Sequence, residues 1–467
     1  MKAARICTVM LMVFVILTGF SYASEETFRY GRFGTVTVYR ESPRPSHVVL
    51  FVSGDGGWNL GVIDMAKALA SLDALVAGID ITRYLKEITA SSDKCSYPAA
   101  DLESLSMFIQ KKYGFSSYTL PVLVGYSSGA TLVYASLVQS PPGTFKGAIS
   151  LGFCPDLPLT KPLCRGSGLE WKHGEGRKGY SFLPAKGLSS PWITFQGEID
   201  QVCNASMVEA YVKQVKEGEL VLLPRVGHGF SVQKNWMPRF RKTFANLVKR
   251  RRGDSTKSGD TLKDLPLIEV PSKIGGTDIM AVIVSGDGGW AGIDREIGGA
   301  LAAKGVPVVG LNSLEYFWKG RSPEEASRDL ERILRHYIAA WDRKRTVLIG
   351  YSLGADVLPF MINGLSRDMA DKVSLAVLLG PGREATFEFH LTYWLGGALP
   401  RESAYPLLPE VRKMKGIKVL CLYGESEDES VCRDLNEDMV KTVALKGGHH
   451  FAGEYVPIAD IILNEVR

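Results

Sequence analysis

The segment VLIGYSLGA, residues 347–355, decides how this chain folds. A short apolar run predicts a buried strand, and the residues that follow predict a helix. Between them lies the pattern G-x-S-x-G, in which two glycines permit a sharp strand-to-helix turn that lifts a serine above the edge of a sheet. Because a chain with 49 glycines contains such a pattern by accident fairly often, the prediction of a reactive Ser352 depends on the surrounding sequence.

The same segment occurs earlier, as VLVGYSSGA at residues 122–130, and three further segments recur in the same order. These are VSGDGGW at 52–58 and 284–290, FQGEIDQVC at 195–203 with LYGESEDESVC at 422–432, and LPRVGHGF at 223–230 with LKGGHHF at 445–451. The repeating unit of about 200 residues is far too long for a solenoid. Each copy is therefore expected to be a complete domain.

Within each copy, short β-branched runs alternate with amphipathic helical patterns, which predicts a mostly parallel sheet flanked by helices. In the second copy the predicted strands are 280–285, 306–311, 345–350, 374–380, 417–424 and 442–446, with a helix at 323–338. The fold class is thus α/β, as a tandem duplication of one domain. The predicted organisation is a signal peptide at 1–23, a first domain at 24–250, a linker at 251–264 and a second domain at 265–467.

The first residues resemble a secretory signal, with Lys2 and Arg5 before an apolar run and small residues ahead of Ala23. We therefore expect this chain to be exported and the signal to be cleaved. Six cysteines follow, four in the first copy and two in the second, so we expect disulfides within each copy. None of them has zinc-site spacing, and we predict no metal and no cofactor. The net charge of +5 is too small to indicate nucleic-acid binding.

An acid and a histidine follow each serine, each just after a later strand, in the order Ser, acid, His typical of α/β-hydrolases. The first set is Ser127, Asp200 and His228. The second is Ser352, His449 and one of two neighbouring acids. Counting from the preceding glycine selects Glu427, and counting back from Cys432 selects Asp428. We prefer Asp428, because a shorter side chain at a strand end is the usual arrangement.

The heptapeptide VSGDGGW follows the first main strand of each copy, where this fold places a loop that donates one oxyanion-hole amide. We predict that hole from the amides of Asp287, Gly288 and Leu353, with the glycines of the loop allowing close approach. Leu353 follows the nucleophile directly, and Ser128 does so in the first copy. The other interpretation of the heptapeptide is a tight turn anchored in the core by Trp290, and the two are compatible.

The second copy resembles the VirJ/AcvB family of bacterial periplasmic proteins. The resemblance rests on VSGDGGWAGID, LEYFWKGRSPEEASRDL, GYSLGADVLPF and the GGHHF end, and covers roughly residues 275–467. The doubled architecture resembles the longer, AcvB-like members. The first copy lacks the GAD element and the LEYFW segment, which leaves its activity open.

The resemblance implies hydrolysis of aminoacyl esters of phosphatidylglycerol, notably lysyl-phosphatidylglycerol, at the outer side of the inner membrane. It also implies a link with virulence, and it makes Ser352 the nucleophile and His449 the base. A lysyl ester carries two ammonium groups, so we hypothesise that Asp287 or Asp356 binds one of them; the alternative for Asp356 is a helix-surface residue.

Residues 386–399, TFEFHLTYWLGGAL, lie where such folds insert a cap. Their aromatic residues would contact a bilayer or an acyl chain, or pack on their own domain. The competing function is a binding or chaperone-like protein that contacts protein partners in the periplasm, since fold alone does not exclude it.

Overall fold

The computed structural model describes residues 24–174, 179–250, 262–272, 274–275, 277–390, 404–436, 438 and 440–466. The predicted signal peptide, most of the predicted linker, and residues 391–399 of the predicted cap lie outside these ranges. Among the described residues, no helix is both long enough and apolar enough to cross a membrane.

The first half of the chain forms an eight-stranded sheet with a small three-stranded sheet beside it. Its strands are β1 Ser24–Tyr30, β2 Gly34–Arg40, β3 His47–Val52, β4 Ala74–Ile79, β5 Val122–Tyr126, β6 Gly147–Leu151, β7 Asp156–Leu157, β8 Trp171–His173, β9 Tyr180–Phe182, β10 Trp192–Gly197 and β11 Gly218–Leu223. Its helices are α1 Leu60–Ala70, α2 Ile81–Ala90, α3 Pro98–Lys112, α4 Ser128–Gln139, α5 Ala205–Val212 and α6 Met237–Lys249. The main sheet has the order β1-β2-β4-β3-β5-β6-β10-β11.

The second half repeats this plan with one strand fewer at the edge. Its strands are β12 Leu267–Val270, β13 Ile279–Val284, β14 Val308–Leu311, β15 Arg345–Tyr351, β16 Val373–Leu379, β17 Glu384–Ala385, β18 Tyr405–Pro406, β19 Val419–Gly424 and β20 Val440–Leu445. Its helices are α7 Gly292–Ala303, α8 Ser313–Tyr316, α9 Pro323–Ala340, α10 Leu353–Asn363, α11 Arg367–Ala370, α12 Leu407–Lys413 and α13 Val456–Val466. The sheet has the order β12-β14-β13-β15-β16-β19-β20.

The first sheet is parallel from β4 onward and the second from β14 onward. Antiparallel pairing is confined to the edge strands, in the pairs β1/β2, β2/β4 and β12/β14. This arrangement and the strand order confirm the predicted fold class, an α/β-hydrolase-like domain present twice. All six predicted strands of the second half exist. The prediction missed β12, because a four-residue, half-buried edge strand has too short a pattern to stand out.

The strands are buried because helices cover both faces of each sheet, and each face has its own apolar cluster. The predicted helix at 323–338 is α9, which begins with a capping box: Ser322 accepts from the Glu325 amide, and the Glu325 carboxylate accepts from the Ser322 amide. Trp290 is buried against Gly310 of β14, and the partly buried Trp58 packs against Gly78 of β4 in the same way. The core-anchor interpretation of the heptapeptide tryptophan is therefore confirmed.

Three disulfides join Cys95 to Cys164, Cys154 to Cys203 and Cys421 to Cys432. Every pair lies within one half, as expected from the distribution of the cysteines. The last pair closes the short segment between β19 and the end of the predicted acid-bearing loop, so it constrains the residues from which the second catalytic acid must come.

One face of α3 joins the two halves. Glu103, Met107 and Lys111 lie four residues apart and so share a face of this helix. Met107 and Tyr118 form an apolar cluster with Leu314, Trp318 and Phe389 of the second half. The Lys111 ammonium donates to the Trp318 carbonyl at 2.7 Å, and the Trp318 indole donates to the Phe115 carbonyl at 2.9 Å. The LEYFW segment thus supplies a tryptophan to the interface between the halves.

Candidate active sites

Both serines of the G-x-S-x-G segments occupy the same strained turn between a strand and a helix. Ser127 has φ 55° and ψ −123°, and Ser352 has φ 52° and ψ −121°. A side chain at Gly350 would lie 2.3 Å from the Gly354 carbonyl oxygen, and one at Gly354 would lie 2.0 Å from the Val284 carbonyl oxygen. Only glycine therefore fits on either side of the turn, which presents the serine at the carboxyl edge of the sheet.

The second half brings Ser352, His449 and Glu427 together in hydrogen-bonding order. His449 Nε2 lies 2.9 Å from Ser352 Oγ, and His449 Nδ1 lies 2.6 Å from Glu427 Oε1. The hydroxyl of Tyr351 donates to the His449 carbonyl at 3.3 Å and so tethers the histidine loop. This is the geometry in which the imidazole removes the serine proton while the carboxylate orients the ring.

The preference for Asp428 as the acid of this triad was wrong. The Asp428 side chain is 92% exposed and has only a 3.8 Å ion pair with Arg433. Glu427 points inward instead, and its Oε2 accepts the Gly424 amide at 2.6 Å. Burial raises the pKa of Glu427, but the hydrogen bonds from His449 and Gly424 outweigh it and lower that pKa overall, which keeps the carboxylate charged. The loop turns tightly enough for the longer side chain to reach the ring.

The first half also brings its three predicted residues together. His228 Nε2 lies 2.9 Å from Ser127 Oγ, and His228 Nδ1 lies 2.9 Å from Asp200 Oδ2. Asp200 is buried, and its other oxygen accepts the amides of Val202 and Cys203 at 2.9 Å. The Cys203 sulfur lies within 4.8 Å of the triad atoms of Asp200 and His228, but it is bonded to Cys154 and does not serve as a free thiolate ligand.

The residues predicted for the oxyanion hole lie around Ser352, but they are not equally well placed to donate to an oxyanion. Leu353 begins α10, where backbone amides lack a partner within the helix. In the loop 285–290 it is Gly286, not Gly288, that lies against the Ser352 side chain, whereas Gly288 faces open space. The amides of Asp287 and Gly288 interact with the Asp287 carboxylate itself. The structure thus leaves Leu353 as the predicted donor best placed for an oxyanion.

A pocket of about 880 Å³ surrounds Ser352 and His449. Its acidic lining beyond the triad includes Asp287, Asp294 and Asp356 of the second half and Glu103 of the first. Of the described residues that line it, none is a lysine or an arginine. The pocket is therefore rich in carboxyl groups, and it is lined by both halves of the chain.

Asp294 and Asp356 are buried and Asp287 is half-buried, and no lysine or arginine is among the described residues that line the pocket with them. Burial raises the pKa of Asp287, and His449 and nearby amides offset only part of that rise. Burial raises the pKa of Asp356 well above its usual value, although the Gly382 amide donates to it at 2.7 Å. Asp294 is 3% exposed, its pKa is raised in the same way, and its Oδ1 accepts no hydrogen bond from any described residue. Burial of this kind favours the neutral form of a carboxyl group, and a bound cation would favour the charged form.

Asp356 is buried rather than a helix-surface residue, which decides between the two interpretations of this position. Asp294 and Glu103 were missed by the sequence analysis. Asp294 could have been found by comparing the two copies. Their ungapped match pairs it with Val62, so the second copy has an acid where the first has an apolar residue. No sequence pattern pointed to Glu103, because it reaches the pocket only through the packing of the two halves.

The residues around the first triad differ from those of the acidic pocket around Ser352. The counterpart of Asp287 is Asp55, which is exposed and accepts the Ser128 hydroxyl at 2.6 Å. In the second half that serine is replaced by Leu353, which has no hydroxyl to donate to Asp287. The counterparts of Asp294 and Asp356 are Val62 and Thr131. A smaller pocket of about 180 Å³ beside Tyr126 is lined mostly by glycines. The two sites therefore share the triad and differ in the carboxyl groups around it.

The described part of the predicted cap packs on its own protein. Phe387 and Phe389 are both buried, and Phe389 stacks on Trp318 with ring centroids 5.5 Å apart. These two rings are thus part of the core and of the interface between the halves.

Solved structures with a similar fold are hydrolases that match half of this chain. The esterase domain of a Rhodothermus marinus protein is 15% identical over 48% of this chain and 97% of its own, with a TM-score of 0.33. A putative dienelactone hydrolase from Klebsiella pneumoniae is 15% identical over 49% and 98%, with a TM-score of 0.36. A serine hydrolase without a lid from Xanthomonas campestris is 19% identical over 49% and 95%, with a TM-score of 0.31. Similarity at this level says nothing about the substrate.

A sequence search of curated proteins found no match. The family model described as bacterial virulence protein (VirJ) matches residues 46–149 and 278–467, which together exceed half of the chain. Its two segments fall on the two halves and include both serines and the second histidine. With its hydrolase-type fold and its two Ser-His-acid arrangements, this chain belongs to the VirJ family of bacterial virulence proteins.

Proposed function

We propose that this protein is an exported serine esterase that hydrolyses aminoacyl esters of phosphatidylglycerol, with lysyl-phosphatidylglycerol as the preferred substrate. The observation that carries the proposal is a complete triad, Ser352–His449–Glu427, in a pocket whose other ionisable groups are mostly acidic. A lysyl ester is a dication at neutral pH, and its ammonium groups would hold these carboxyl groups in the charged form. Such a pocket therefore favours it over neutral and anionic acyl groups.

The reaction follows from the positions of these side chains. Ser352 Oγ attacks the ester carbonyl while His449 Nε2 takes its proton, and Glu427 stabilises the imidazolium. The Leu353 amide donates to the oxygen that becomes negative. The imidazolium then protonates the departing glycerol oxygen, which leaves lysine esterified to Ser352. A water molecule, deprotonated by His449, releases the lysine and restores the serine hydroxyl.

The hypothesis that Asp287 or Asp356 binds an ammonium group gains support from their burial and raised pKa values. A bound ammonium would offset the desolvation of these carboxylates. We expect Asp287→Lys or Asp356→Lys to abolish the preference for lysyl over neutral acyl groups. A preference that survives both substitutions refutes this assignment.

Location at the outer face of the inner membrane is part of the proposal. It is supported by the signal-like first residues and by the family membership. It is also the site where a phospholipid headgroup would meet an exported enzyme. Protein partners in the periplasm belong to the alternative, a binding protein without catalysis.

The test uses the mature protein with lysyl-phosphatidylglycerol liposomes and follows released lysine. We expect Ser352→Ala to abolish release and Ser127→Ala to leave it nearly unchanged, because the acidic pocket surrounds only Ser352. If the wild type cleaves simple esters but not this lipid, the esterase stands and the substrate assignment falls. If it cleaves neither, the binding-protein alternative is the better one.

A further inference from the structure

We propose that the first half of the chain completes the substrate pocket of the second, with Glu103 binding the side-chain ammonium of a lysyl group attached at Ser352. This inference rests on the proposed function and names the residue that would distinguish lysyl from other aminoacyl esters.

The first step is the placement of Glu103. It lies on α3, on the face that contacts the second half. Four residues on, Met107 packs with Leu314 and Trp318, and four further, Lys111 bonds the Trp318 carbonyl. Because side chains four residues apart on a helix share a face, contacts at 107 and 111 hold position 103 against the second half as well. Glu103 lines the pocket beside Pro141 and Thr144 of its own half.

The second step is the electrostatic state of Glu103. Burial and the nearby carboxylate of Asp287 raise its pKa to about 8. No lysine or arginine is among the described residues lining the pocket. In the empty pocket this raised pKa favours the protonated form of Glu103. A ligand cation between Glu103 and Asp287 would favour the charged form of both carboxyl groups.

The third step is the shape of the acidic lining. In the described part of the chain, the one group of three or more metal-ligating residues with ligand atoms within 4.8 Å is Asp200, Cys203 and His228. The carboxylates of Glu103, Asp287, Asp294 and Asp356 are therefore not gathered around a single point. Spread carboxylates suit an extended dication better than one metal ion. The unpartnered Oδ1 of Asp294, 3% exposed, independently indicates a missing donor in this pocket.

A lysyl group fits this spread. Its α-ammonium is one carbon from the carbonyl that Ser352 attacks, so it must stay near the second-half aspartates. Its ε-ammonium is four methylenes further out and reaches away from the serine. Glu103 comes from the other half of the protein and faces Asp287. Glu103 thus distinguishes acyl side chains by their length and by the charge at their end.

The experiment separates this inference from catalysis by measuring binding. Full-length mature protein carrying Ser352→Ala is titrated calorimetrically with lysinamide and with norleucinamide, which has a similar chain but lacks the ε-ammonium. We expect lysinamide to bind more tightly by about tenfold or more, and Glu103→Gln to reduce that preference about tenfold. Affinity for norleucinamide should stay unchanged, which also shows that the variant is folded.

Glu87→Gln is the matched control, since Glu87 is exposed on α2 of the same half and does not line the pocket. A preference for lysinamide that persists in Glu103→Gln overturns the inference, as does the absence of any preference in the parent protein. Neither result depends on whether the esterase activity exists. Conversely, a lost preference supports the role of Glu103 even if the phospholipid proves not to be the substrate.

Discussion

Exchanging Glu427 for glutamine tests the assignment of the catalytic acid at the point where sequence and structure differ. The Glu427 carboxylate accepts two short bonds, from His449 Nδ1 at 2.6 Å and from the Gly424 amide at 2.6 Å. A glutamine has one acceptor oxygen. If that oxygen stays on Gly424, the NH₂ group faces Nδ1 and favours the tautomer protonated on Nε2, which accepts no proton from Ser352.

The expected effect is large. Replacing the triad acid by its amide in a serine protease lowers kcat about 10⁴-fold, mainly through the wrong tautomer. Because Glu427 is partly accessible rather than fully enclosed, we expect a loss of about 10³- to 10⁴-fold, or about 4 to 5.5 kcal/mol of transition-state stabilisation. The assay is release of 4-nitrophenol from its acetate ester, which is neutral, in a Ser127→Ala background that silences the first triad.

Asp428→Asn is the matched control one residue away. Its side chain is 92% exposed and lies 3.8 Å from Arg433, so we expect a change in kcat of less than about threefold. The reasoning is refuted if Asp428→Asn loses as much activity as Glu427→Gln. It is also refuted if Glu427→Gln retains more than about a tenth of the parental kcat while its unfolding midpoint is unchanged.

Three further predictions concern stability. Gly354→Ala places a methyl group 2.0 Å from a backbone carbonyl of β13, so we expect it to lower the free energy of unfolding in urea by about 3 kcal/mol. The control is Gly299→Ala at an exposed position, which should stabilise α7 by roughly 0.5–1 kcal/mol. Equal effects of the two substitutions would contradict the packing argument. Joint Cys421→Ala and Cys432→Ala substitution opens a loop spanning 11 residues and should lower the unfolding free energy by about 3 kcal/mol, with esterase activity falling because the acid loop loosens. Burial raises the pKa of Glu103 from 4.5 to about 8, so the folded state holds a proton that the unfolded chain releases, and stability should fall as the pH rises from about 4.5 to about 8. Calorimetric melting across that range should show Glu103→Gln to be less pH-sensitive by about 1–2 kcal/mol, after allowance for the partial exposure of this group.

The sequence predicted the structure best where a short segment determines its own backbone conformation. The G-x-S-x-G turn needs glycines at 350 and 354 because backbone atoms fill the space a side chain would take, and this requirement is visible in the residues themselves. The histidines were found because few exist in the chain and one follows the last strand of each copy. The distribution of the cysteines alone predicted that each disulfide lies within one half of the chain.

The predictions of site residues failed where the position of a residue along the chain does not determine which way its side chain points. Glu427 and Asp428 are neighbours, and only the turn between β19 and the Cys421–Cys432 disulfide decides which one faces the imidazole. The same holds for the loop at 285–290, where Gly286 rather than Gly288 lies against the nucleophile. Spacing rules count residues, but a turn of a few residues reverses which side chain points inward.

The sequence by itself determined that this protein is a duplicated α/β-hydrolase-type chain with two serines on strained turns and a histidine for each. These features are local or recur at matched positions, so a single chain displays them. Only the tertiary structure decided which acid completes the second triad and that the pocket around Ser352 is lined by both halves. Glu103 stands far from Ser352 in sequence and joins its pocket because the face of α3 that packs on Trp318 also carries this carboxylate. Packing between domains is set by complementary surfaces rather than by any repeating pattern. No sequence motif therefore predicted that Glu103 lines this pocket.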